Sequence, residues 1–105
     1  MSEVVLTDRE QEIVEQGEAA RFLLDNPLFL QAIEAIRAQC AEAILRSEPQ
    51  AVQAREDAYH LSRGLSAVTA ELTAISAAGE QLLATAEAQT EAIDQAQPVY
   101  EPGAY

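Results

Sequence analysis

The sequence holds no lysine and no tryptophan, and it holds one histidine and one cysteine. Each shortage excludes something. Without lysine, all basic charge rests on six arginines, set against 18 acidic residues for a net charge of −12. Phosphate contacts need clustered Lys or Arg, so a sequence-reading DNA-binding domain is excluded as the main activity. Such a balance favours solubility and partners with basic surfaces. Cys40 alone cannot close an intrachain disulfide, which points to a reducing cytoplasm. With only His60 beside it, no Cys–His metal cluster can form within one chain, and no cofactor is expected. There is no glycine-rich phosphate loop and no nucleophile elbow, so no enzyme is expected. No stretch reaches the roughly 18 apolar residues of a membrane span. The start, MSEVVLTDRE, carries acids where a signal peptide needs bases. Aromatics make up 5% of the chain, too few for a β core, whereas the abundance of Ala, Glu and Gln favours helix.

What is present is organised as helices. Thr7 followed by Glu10 is a capping box, and it starts a first helix that runs to about Leu24. The helix is acidic, and Gly17 weakens it. In the stretch LLDNPLFLQAI, residues 23–33, Asn26 is a favoured cap and Pro27 a favoured first helical residue. The stretch reads as a corner of the core, with Leu23 and Leu24 packing across the break and Leu28 and Phe29 beginning a buried side. A second helix follows to about Arg46, with Phe29, Ile33, Ile36, Cys40 and Ile44 on one apolar stripe. Ser47 and Pro49 mark a short break, Ser47 as a cap, so the next helix folds back antiparallel. That third helix runs from Pro49 to about Gln95. Its seam of Ala51, Ala54, Ala58, Leu61, Leu65, Val68, Leu72, Ile75, Gly79, Leu82 and Ala86 alternates spacings of three and four, the mark of a coiled coil.

The expected fold is therefore all-α: an antiparallel helical hairpin with a short N-terminal helix and a long C-terminal coiled-coil-like helix. It divides into an acidic N-terminal segment (1–24), a hairpin oligomerisation core (25–95) and a flexible tail (96–105). The second helix is too short to cover the third. The Ala58–Leu72 part of the seam is expected to pack within the chain against the first two helices. No other apolar helix remains for Ile75–Ile93, so self-association is expected there, with Leu61, Leu65, Val68, Leu72, Ile75 and Leu82 as the candidate oligomerisation residues.

The polar residues have two readings. Arg37, Arg46, Arg55 and Arg63 either pair with Glu34, Glu42, Glu56 and Asp57, or form a modest basic surface that an oligomer repeats, giving weak non-specific DNA contact by avidity. Asp57, three residues before His60, reads as a helix-surface polar pair. Cys40 reads as a small buried hydrophobe. The tail QPVYEPGAY is either a plain end or a linear motif with Val99, Tyr100 and Tyr105 as anchors.

The strings ARFLLDNPLFLQAIEAI and SEPQAVQAREDAYHLSRGLSAVTAEL resemble small helical proteins of tailed phages and gene transfer agents, among them small terminase subunits. The likeness spans about residues 20–75. It implies a ring-forming, non-enzymatic packaging adaptor that presents DNA to the large, ATP-hydrolysing terminase and contacts that partner through Tyr100–Tyr105. Residues 1–24 provide one acidic helix, too little for the helix-turn-helix that many small terminases carry, so recognition of a packaging sequence is not implied. The reading from another class is a scaffold or assembly chaperone of a phage-like particle without a DNA role.

Overall fold

The structure, a computed structural model, describes residues 4–96, and their side chains as far as residue 93. These residues form three helices: α1 (Asp8–Leu24), α2 (Pro27–Leu45) and α3 (Val52–Ala96). No helix is long and apolar enough to cross a membrane among the described residues.

Local chemistry sets the helix ends. The Glu10 amide donates to Thr7 Oγ1 at 3.1 Å, and the Thr7 amide donates to Glu10 Oε1 at 2.9 Å, completing the capping box of α1. Asn26 Oδ1 accepts from the amides of Leu28 (2.9 Å) and Phe29 (3.2 Å), with Pro27 in the first turn. The second connection differs from expectation. Ser47 does not cap α3; its hydroxyl donates backwards to the Ile44 carbonyl at 2.7 Å and closes α2. Pro49 stays in the turn, and α3 begins at Val52, three residues later than the sequence predicts. α3 then runs unbroken for 45 residues through Gly64 and Gly79, about 67 Å at 1.5 Å per residue.

α1 and α2 lie end to end along α3 and touch each other little. Gly17 meets Gly79, whereas Arg37 reaches Ser66. Contacts on α3 therefore fall in number as α1 and α2 advance, so both run antiparallel to it. This corrects the expectation that nothing in the chain covers the C-terminal half of α3. That half is covered by α1, whose small, acidic sequence conceals a usable face. Val14, Gly17 and Ala20 are its buried residues, spaced by three. Small side chains let two helices approach closely, which compensates for their modest apolar area.

Gly17 and Gly79 set that approach. A Cβ on Gly17 would lie 2.9 Å from Gly79 Cα and 3.1 Å from the Ile75 carbonyl oxygen. A Cβ on Gly79 would lie 3.0 Å from Gly17 Cα and 3.1 Å from the Ile13 carbonyl oxygen. Those neighbours are backbone and cannot rotate away.

The core is thin in consequence of the architecture. Val14, Ala20, Ile33 and Cys40 are the buried apolar residues, and no described side chain is completely enclosed. Helices packed two deep leave each one a solvent-facing side.

Gly17→Ala and Gly79→Ala should each destabilise the chain, by up to about 2 kcal/mol. The steric cost of about 1–3 kcal/mol outweighs the roughly 1 kcal/mol that Ala gains in helix propensity. Thermal unfolding followed by circular dichroism checks this; a rise in melting temperature in both variants would refute the close contact.

Candidate functional site

The long helix presents its residues in columns spaced by seven. The column Ala51, Ala58, Leu65, Leu72, Gly79 and Ala86 turns inward, as the sequence seam predicts, and is buried or half-buried throughout. Its companion is not the expected Leu61–Val68–Ile75–Leu82 column. The inward companion consists of Arg55, Ser62, Thr69, Ser76, Leu83 and Thr90, none of them exposed. The close approach at Gly79 explains this choice. Ser76 is small enough to be buried beside it, at 3% exposure, whereas Ile75 and Leu82 must sit at the edge of the contact. Two seam hydroxyls are satisfied within the helix: Thr69 donates to the Leu65 carbonyl and Thr90 to the Ala86 carbonyl, each at 2.9 Å.

The expected self-association residues therefore separate into three groups. Leu65 and Leu72 belong to the inward column and are half-buried. Ile75 and Leu82 are half-buried at the edge of the α1 contact. Leu61 and Val68 remain 53% and 51% exposed. On their side of the molecule, a shallow groove between α2 and α3 is lined by Ile36, Gln39, Cys40, Ala43, Asp57, Ala58 and Leu61. Ile13, Ala78, Gln81, Leu82 and Thr85 line its counterpart between α1 and α3. On the other side of α3, Val14, Glu18, Arg21, Glu80 and Leu83 border the groove of about 200 Å³ beside the Gly17–Gly79 contact.

The corner at Asp25–Asn26 departs from the sequence reading. Leu24 and Phe29 are half-buried, but Leu28 is 73% exposed and Leu23 is also exposed, as are the neighbouring Phe22 and Leu30. Helical spacing accounts for this. Phe29 and Ile33 point the α2 stripe at α3, and a residue one place before Phe29 is rotated by about 100° from it. The break is thus a helix junction with an apolar outer surface, not a corner of the core.

The arginines do not form one basic patch. Arg55 is half-buried and occupied: its guanidinium donates to Ser47 Oγ (3.0 Å), the Glu48 carbonyl (2.7 Å) and the Pro49 carbonyl (3.0 Å). It holds the α2–α3 turn together. Arg37 pairs with Glu34 at 3.3 Å and reaches across to Ser66 at 3.2 Å, while its Nε is buried without a partner. Arg46 pairs with Glu42. Arg63 is exposed and joins none of the ion pairs among the described residues. Those ion pairs each lie within one helix or at its cap, so Glu56 and Asp57 do not bridge α2 to α3 as expected. The role of Arg55 was missed by sequence reasoning; the signal was the SEPQ turn six to eight residues before a lone Arg.

Cys40 is buried on the α2 stripe. Asp57 accepts from Gln53 at 2.8 Å, and His60 lies edge-on to Tyr59 with ring centroids 5.6 Å apart. Among the described residues no group of three or more His, Cys, Asp or Glu is placed to hold a metal ion. Val99, Tyr100 and Tyr105 lie outside the described residues.

Arg55→Ala should cost about 1–3 kcal/mol, because three acceptors lose a charged donor and the turn loses its clamp. Arg63→Ala should change stability by less than about 0.5 kcal/mol. Urea denaturation of the two variants checks the contrast; equal effects would remove the structural role of Arg55.

Comparison of the chain with protein-family models, with curated proteins and with solved structures gives no match.

Proposed function

We propose that the chain is a non-enzymatic DNA-packaging adaptor of the small terminase type. It assembles into a homo-oligomer, with a ring as the expected form, contacts DNA weakly and without strong sequence preference, and recruits or regulates the large terminase motor. It works in the cytoplasm. In this reading α2 and α3 form a hairpin core, α3 acts as the coiled-coil-like element of the oligomer, and the tail with Val99, Tyr100 and Tyr105 engages the motor. The likeness of residues 20–75 to phage packaging proteins carries the choice of class. The structural observation that supports it is a rod of paired helices with Leu61 and Val68 half exposed and, among the described residues, no side chain completely enclosed. That is the form of a subunit whose packing is completed by neighbours.

A second reading, a scaffold or assembly chaperone of a phage-like particle without a DNA role, gains from the arginines. Arg55 is committed to the turn, and Arg37 and Arg46 pair with glutamates on their own helix. A single chain then offers little to a phosphate backbone, and repetition must supply the affinity.

A gel-shift assay at low salt separates the two. The adaptor should retard duplex DNA, with binding falling steeply as salt rises and lost on Arg37→Ala, Arg46→Ala and Arg63→Ala combined. Arg55 is left intact so that the fold is preserved. No shift by the wild type would favour the scaffold. The intact chain should also capture a large terminase, and a chain ending at Gln97 should not; equal capture by both would remove the tail from the contact.

A further inference from the structure

Three glycines lie in helices, and two are explained by the contact between Gly17 and Gly79. Gly64 is not. It sits within α3 without a positive φ, and a Cβ there would meet nothing within 4 Å. Among the described residues nothing offsets the roughly 1 kcal/mol that Gly costs relative to Ala in a helix interior. Gly64 follows Leu61 by three residues and precedes Val68 by four, so the three form one strip on the surface of the helix. Leu61 and Val68 are half exposed on either side of the gap that Gly64 leaves.

We infer that the strip Leu61–Gly64–Val68 is where a second copy of this chain packs, a helix of one copy seated in the gap over Gly64. The inference rests on the homo-oligomer of the proposed function and names its interface.

Charge permits a second copy at this strip, although the chain as a whole is acidic. At −12, two copies repel, and both termini are acidic. Between Asp57 and Glu71, α3 carries one formal charge, Arg63, so like chains meet little repulsion there. A basic partner would be drawn to the acid-rich ends. Size agrees as well. The molecule is 22 Å wide, and the column from Ala54 to Leu82 extends about 42 Å along the helix. Taken at the full width of the molecule, the face measures at most roughly 900 Å², enough to reach the ~800 Å² per partner of a standard stable interface.

Sedimentation velocity of the full chain over about a hundredfold range of concentration tests the interface. The wild type should associate. Gly64→Leu, which fills the gap, and Val68→Asp, which charges its rim, should each raise the dissociation constant at least about tenfold with helicity by circular dichroism unchanged. Gly64→Ala guards against misfolding, since Ala favours helix. It should weaken association while leaving the dilute chain fully helical. Phe22→Ser, at a more exposed ring outside the strip, should leave association unchanged. A wild type that stays monomeric overturns the inference and the homo-oligomer together. Association that all three strip variants preserve overturns the inference and leaves the homo-oligomer standing.

Discussion

The backbone contact of Gly17 with Gly79 is the constraint on which the rest of the arrangement depends. Two helices that meet at backbone distance have little freedom to rotate about their axes. Fixing α3 at Gly79 sends the column containing Gly79 and Leu72 inward and selects Ser76 as its companion. It places Ile75 and Leu82 at the margin and, two turns further on, leaves Val68 and Leu61 half in solvent. The same contact gives α1 a purpose that its composition hides. A stripe of Val14, Gly17 and Ala20 buries little apolar area, but it brings many atoms into van der Waals range when nothing larger holds the helices apart.

From that follows the energetic character of the molecule. Its helices are packed two deep, and its buried apolar residues are few and small to medium in size. Long helices of this kind draw most of their stability from many partly buried contacts along their packed faces, with no central cluster, and their caps add to it. The connections therefore matter more than in a globular domain. The capping box at Thr7, the Asn26 cap and the Arg55 clamp on the α2–α3 turn each satisfy polar groups where no core compensates for leaving them bare.

Much of the secondary structure was legible because it rests on local chemistry. Thr7 with Glu10, and Asn26 with Pro27, announce helix starts whatever packs around them, and the stripe from Phe29 to Ile44 has one period and one plausible partner. The third helix was legible in extent but not in rotation. Its inward column can be paired with the apolar positions on one flank or with the small polar ones on the other, and apolar character favours the first choice. Close packing at a glycine imposes the second, and close packing depends on which segment arrives opposite. The corner failed for a related reason: Leu28 is apolar, but helical spacing decides which way it points. Arg55 was misread because a charged side chain that holds carbonyls resembles, in sequence, one that waits for a ligand.

In the proposed function, self-association and DNA contact would not be independent. Arg55 is withdrawn into the turn and Arg37 is tied to Glu34 and Ser66, so one copy brings few unengaged cations to a polyanion while carrying a net charge of −12. Repulsion between the two anions acts over about a Debye length, ~8 Å at physiological salt, and a single exposed arginine does little to offset it. One chain alone would hold DNA poorly at physiological salt. Copies arranged so that their arginines face the same way, with the acidic ends turned aside, change the arithmetic: each added contact acts at high effective concentration. A role on DNA thus requires assembly first. A role in particle assembly requires the apolar strip alone, and for that role the arginines need do no more than they do within the fold.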